Sequence, residues 1–188
     1  MSGLIDTSKF KQIQDEIKAA SRTNPDVGRI ASQARIHLIG DQLKEAQTGG
    51  FTLQCDEAQE RRGTGIAPSP LQYLAAAIGF EMVSQLTRYA SEFDVQIDRA
   101  ELDVRCEYDA GGKLMIDEVS PAAQHVTYRW EISSPSPPET VREVVEWIDR
   151  GSHTLNTLRQ PIPIVDQAAL NGEPIDFDVT PFNRGEGA

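Results

Sequence analysis

Among 188 residues with two cysteines and three histidines, the side chain that most needs a chemical explanation is Glu81. It sits in the run APSPLQYLAAAIGFEMVSQLTRYAS (67–91), between Ile78 and Met82, behind a stretch that is apolar from Leu71 to Ile78 apart from Gln72. Burying a carboxylate is costly unless it is paired, hydrogen-bonded or protonated. Two roles follow. Glu81 is either a hydrogen-bonded tie between helices, helped by Gln85 and Arg88 at i+4 and i+7, or a general acid or base whose pKa burial has raised. Phe80 and Met82 flank it, and core packing is the first reading of Met82.

The remaining candidates are sparse. Cys55 and Cys106 have neither a disulfide framework nor a metal-ligand spacing, and they read as buried, reduced thiols. Neither lies at a helix start or beside a cation that would favour the thiolate. His37 and His125 fall on predicted strands. His153 follows Ser152, but neighbouring side chains usually point apart, so the pair is not a dyad by itself. Three scattered histidines without matching acids predict no metal site, and no motif predicts a cofactor.

The formal net charge of −11 argues against a nucleic-acid or anionic membrane partner, since both need clustered Lys and Arg. No apolar run approaches the roughly 20 residues that span a bilayer, and MSGLIDTSKFKQ is not a signal peptide, so a cytoplasmic protein is expected. The length suits one domain, or one subunit of a dimer with a shared core.

These residues must be positioned by a few elements. Ser69, Pro70 and Gln72 form a capping box with proline at the first helical position, so a helix starts there. A helix apolar on all sides must be covered on all sides. Before it, Phe10, Ile13, Ile17 and Ala20 predict a surface helix over 8–20, capped by Asp6 or Thr7. Ile36, Leu38, Ile39, Leu43, Phe51 and Leu53, broken at Gly40-Asp41 and Gly49-Gly50, predict a three-stranded meander, and ERRGTGI a polar loop. After the central helix, 95–108 predicts a strand, 109–112 a hairpin turn, 114–119 its return strand, and 125–132 another strand. Ser136 and Glu139 repeat the capping-box spacing before a helix carrying Val141, Val144, Val145 and Ile148 on one face, ended by Gly151. Ser152 then caps a short turn that Pro161 stops. The expected plan is an N-terminal helical extension (1–24), an α+β domain (25–165) with helices on one face of a mainly antiparallel sheet, and an extended tail (166–188). A dimer in which two central helices meet would cover their apolar faces.

The stretch CDEAQERRGTGIAPSPLQYLAAAIGFEMVSQLTRYA resembles a characteristic segment of the OsmC/Ohr family, the osmotically inducible and organic hydroperoxide resistance proteins. IDRGSHTLNTLR resembles that family's second site. The resemblance spans about 31–158 and implies an intertwined homodimer with two main helices per subunit and the long helices buried at its centre. It also implies a thiol peroxidase in which an Arg and a Glu activate one cysteine and a second cysteine resolves the sulfenic acid. Aligned on Pro70, the first cysteine falls on Glu81, and aligned on Asn156-Thr157-Leu158 the second falls on Ser152. The activating Glu falls on Leu71 or Gln72, and Arg35, ahead of Arg29, is the candidate for the activating Arg. The resemblance thus implies a family member without the family's thiol chemistry. Its expected site is Glu81 and Ser152, with Arg35, Gln72, Phe80, Met82 and His153 around a small organic molecule. The alternatives are acid-base chemistry by Glu81 on such a molecule, for example a hydrolysis, or a residual hydroperoxide role for Cys55 or Cys106.

Overall fold

The computed structural model describes residues 3–114 and 119–177. Helix α1 (Thr7–Thr23) starts where Asp6 accepts the Lys9 N–H at 3.2 Å. Its buried residue is Gln14, not the predicted apolar stripe: Gln14 Nε2 donates to the Arg88 carbonyl at 3.0 Å, while Ile13 and Ile17 face outward. A polar side chain takes the inward position because it adds a hydrogen bond to a carbonyl of the next helix, which an isoleucine could not make.

Strands β1 (Arg35–Gly40), β2 (Leu43–Thr48) and β3 (Phe51–Cys55) form the expected antiparallel meander. The register Ile36↔Ala46↔Leu53 puts these residues on one face with Leu38 and Phe51. Alternation makes that face mostly apolar, with Lys44 and Thr48 at its ends, and the other mostly polar. The apolar face is uncovered by its own chain: Ile36 is 60%, Leu38 68% and Phe51 71% exposed.

The polar loop that follows is a tied turn. Asp56, fully buried, accepts from Thr64 N at 2.8 Å, Thr64 Oγ1 at 2.7 Å and Ile66 N at 3.4 Å. These bonds, Thr64's side chain first, outweigh the cost of burial and hold its carboxyl well below the usual carboxylate range. Gly63 passes so close to the Glu57 carbonyl that any Cβ there would strike it.

Helix α2 (Pro70–Glu92) begins with the full capping box: Ser69 Oγ accepts from Gln72 N, and Gln72 Oε1 accepts from Ser69 N at 2.8 Å. Ile78, Met82, Leu86 and Ala90 point into the core against Val95, Ile97, Val144, Ile148 and Leu155. The other side, including Leu71, Leu74, Phe80 and Val83, is exposed within one chain. The helix is therefore half-covered rather than enclosed, although its sequence is apolar on both sides.

Strand β4 (Arg99–Glu107) pairs directly with β5 (His125–Ser133), with Leu102↔Trp130 and Val104↔Tyr128 turned toward α2. Asp109 Oδ1 accepts from Gly111 N at 2.8 Å in a single turn of 3-10 helix. The predicted return strand at 114–119 falls mostly on 115–118, outside the described residues. Helix α3 (Pro138–Gly151) buries Val144 and Ile148. Ser136 does not cap it: Pro138 takes the first helical position and Pro137 the cap, which displaces Ser136 by one residue. Ser136 Oγ instead accepts from Gln96 N at 3.1 Å. Helix α4 (His153–Arg159) follows, capped by Ser152. The predicted tail includes a hairpin of β6 (Ala168–Leu170) and β7 (Glu173–Ile175), exposed throughout. All strand pairings among the described residues are antiparallel, but they form three separate sheets rather than one. No helix among the described residues is long and apolar enough to cross a membrane.

Candidate functional site

Ser152 is the junction of the site. It ends α3 and starts α4, is fully buried, and its Oγ accepts from Leu155 N at 3.1 Å, as an N-cap does. The hydroxyl proton is then free to point at α2, where it donates to Glu81 Oε2 at 2.6 Å. Thr154 Oγ1 donates to the same oxygen at 3.2 Å. Glu81 Oε1 accepts from Gln85 Nε2 at 2.7 Å and from the His153 N–H at 3.1 Å, and it faces His153 Nδ1 at 3.4 Å. The carboxylate of α2 is thus pinned to the α3–α4 junction by Ser152 and the first residues of α4, with Gln85 of its own helix.

Burial pushes the Glu81 carboxyl up, yet the hydrogen bonds from Ser152, Gln85 and His153 together outweigh it, and the net shift is downward. That direction agrees with the hydrogen-bonded tie and runs against the raised pKa of the acid-base alternative. Burial alone would have favoured the neutral acid, but a carboxylate accepting several hydrogen bonds is stabilised in its charged form. Hydrogen bonds accepted on both oxygens disfavour protonation of Glu81. Ser152, His153 and Glu81 are not a nucleophilic triad either, because the serine proton points at the carboxylate and not at the imidazole.

The other expected residues separate. Phe80, beside Glu81, is 74% exposed, and Met82 is core. Gln72 is used by its capping box. Arg35 lies on β1, and neither it nor Arg88 makes an ion pair with Glu81 among the described residues. His37 faces Glu45 on the neighbouring strand at 3.6 Å, and His125 opens β5. No group of His, Cys, Asp and Glu among the described residues is arranged to hold a metal ion. Cys55 and Cys106 are both free thiols. Cys106 lines a separate cleft of about 730 Å³ with Leu71, Arg61 and Arg105, whose guanidinium groups pair with Glu57 and Glu107. Leu71 is ten residues before Glu81, about 15 Å along the helix.

Three interactions have no clear counterpart in the sequence patterns. Thr154 joins the carboxylate's shell, and its closeness to Ser152 is the only local signal of that. Tyr73 Oη donates to the Gln54 carbonyl at 2.5 Å and ties β3 to α2, and Tyr128 Oη donates to Asp149, which Arg159 also holds at 2.8 Å. Neither pair has a local signature.

The family model for OsmC-like protein matches residues 63–165, more than half of the chain and the whole of the α2–α4 site. The chain belongs to the OsmC-like family. Solved structures share the OsmC-like fold at low identity. An OsmC-like protein from Mycoplasma pneumoniae is 16% identical with a TM-score of 0.60, over 69% of this chain and 88% of that one. An organic hydroperoxide resistance protein from Legionella pneumophila is 14% identical with a TM-score of 0.52, over 69% and 90%. A putative organic hydroperoxide resistance protein from Vibrio cholerae, with captopril bound in one of its active sites, is 16% identical with a TM-score of 0.52, over 79% and 97%. No curated relative matches this OsmC-like chain by sequence.

Proposed function

We propose that this OsmC-like chain has lost thiol-peroxidase chemistry and that it works as a cytoplasmic homodimer holding a small organic molecule at the subunit interface beside Glu81. The observation that carries the reading is the 2.6 Å hydrogen bond between Ser152 and Glu81. These are the two positions where the resemblance puts the family's cysteines. A carboxylate cannot be oxidised and re-reduced by thiol exchange, and a serine cannot resolve a sulfenic acid. With no thiol at either position, what remains of the site is a rigid, charged wall.

The dimer is supported by surfaces that one chain leaves uncovered. The apolar face of β1–β3 and the outward side of α2 each need an apolar partner, and a second copy supplies both at once. The Vibrio cholerae relative with captopril in an active site supports a pocket of small-molecule size in this fold. The downward shift at Glu81 favours a binding wall over acid-base turnover.

The test has two arms. With cumene hydroperoxide and dithiothreitol, the protein should consume no more peroxide than buffer alone. Consumption that disappears in the Cys55→Ala/Cys106→Ala variant would restore a peroxidase role. By sedimentation and ligand-observed NMR, the protein should be a dimer that binds 2-phenylethanol. A monomer, or no binding, would remove the interface pocket.

A further inference from the structure

We propose that the pocket beside Glu81 takes an organic cation, a primary ammonium bearing a phenylalkyl or short alkyl tail. This rests on the small-molecule pocket proposed above and gives its occupant a chemical class.

Every group that meets the Glu81 carboxylate is a neutral donor, the His153 ring aside: two hydroxyls, one amide side chain and one backbone N–H. No Lys or Arg among the described residues pairs with it. With the His153 imidazole neutral, that negative charge is stabilised by dipoles but not cancelled, and the Glu81 side chain is only 19% exposed, so water screens it poorly. The His153 ring is what this charge acts through. An ionised carboxylate only accepts hydrogen bonds, so a neutral His153 carries its proton on Nδ1, toward Glu81 Oε1, and leaves Nε2 as a bare acceptor. The His153 side chain is 75% exposed, which leaves that acceptor open to a ligand. An ammonium N–H supplies both a donor to Nε2 and the missing positive charge. An alcohol supplies the donor alone, and a carboxylate is repelled.

The tail has a track to follow. Ala77 and Leu74 precede Glu81 on the same helical face at i−4 and i−7, and their own chain leaves both exposed, on the side of α2 that faces the second copy, so the tail lies between the two subunits. The track runs about two turns, or 10 Å. The exposed ring of Phe80 stands beside it, adds apolar surface, and has a face that attracts cations.

The experiment titrates the intact protein with 2-phenylethylammonium, 2-phenylethanol and phenylacetate at mildly alkaline pH, by calorimetry or ligand-observed NMR. The ammonium should bind about tenfold more tightly than the alcohol, as one charge-assisted hydrogen bond provides, and phenylacetate most weakly. His153→Ala removes an exposed acceptor without touching the core, and it should shrink the ammonium's advantage to under about threefold while alcohol binding persists. Glu81→Gln, which keeps the shape and removes the charge, should do the same. If alcohol and ammonium bind equally, or the carboxylate binds best, the cation assignment is overturned and a neutral pocket stands. An ammonium preference that survives both substitutions overturns it as well. If none of the three binds, the pocket itself falls and the cation assignment with it.

Discussion

Replacing Glu81 by Gln and by Ala separates what its charge contributes from what its shape contributes. Glu81 receives two short bonds, from Ser152 at 2.6 Å and Gln85 at 2.7 Å, and longer ones from the His153 N–H at 3.1 Å and Thr154 Oγ1 at 3.2 Å. Hydrogen bonds to a charged group stabilise by about 1.5–3 kcal/mol each, and neutral ones by about 0.5–1.5. Glutamine keeps an oxygen for Gln85 and the His153 N–H. Its amide donates to Ser152, whose hydroxyl then turns toward Thr154 Oγ1 at 3.1 Å. Losing charge assistance on two strong bonds, partly offset by the easier burial of a neutral amide, gives a cost of about 1 kcal/mol for Glu81→Gln. Alanine leaves the Gln85 amide, the Ser152 hydroxyl and the His153 N–H without partners, which raises the cost to about 3 kcal/mol. The pH dependence carries its own sign. The folded-state pKa of Glu81 lies below the ordinary value of 4.5, so its stabilisation is complete above that value and is lost as pH falls through the depressed one. Urea unfolding followed by circular dichroism, at one fixed protein concentration because a dimer's stability depends on it, reads both effects. Wild type should lose its advantage over Glu81→Gln as the pH drops below 4.5. Equal costs for the two variants, or a gap from Gln that is flat with pH, would refute the ionised, multiply bonded carboxylate.

Glu81→Cys/Ser152→Cys restores sulfur at the two facing positions and should form an intrachain disulfide when diamide takes up the two thiol hydrogens, read as a mass loss of two hydrogen atoms; free thiols after diamide treatment would show that the positions do not face each other as required. Leu53→Lys places a charge on the apolar face of β1–β3 and should shift sedimentation from dimer to monomer, since each subunit forfeits on the order of 2 kcal/mol of apolar burial; an unchanged dimer would move the interface elsewhere. Asp56→Asn weakens the bonds to Thr64 and Ile66 by about 1–3 kcal/mol and should open the loop to trypsin at Arg61 and Arg62, whereas equal cleavage in both proteins would show that Asp56 does not hold it.

Features set by neighbouring residues are legible in the amino-acid order itself. The capping box at Ser69–Gln72, the Ser152 cap, the meander turns and the apolar face of α3 each depend on a few consecutive positions, and each formed. The pairing of Glu81 with Ser152 is legible only through family resemblance, because nothing local links positions 71 residues apart. Where local signals competed, tertiary packing chose. Two prolines displaced the Ser136 cap, and a carbonyl of α2 drew Gln14 inward past Ile13 and Ile17.

Sequence alone determined that a long helix begins at Pro70 and carries one acid among apolar residues. Only the tertiary structure decided that this acid accepts hydrogen bonds on both oxygens, which favours its charged form. Burial and hydrogen bonding push a carboxyl in opposite directions, and which one wins depends on how many donors the fold brings within reach. Likewise, the helix's composition required cover on every side, but only the packing showed which side its own chain leaves open, because composition has no direction and contacts do.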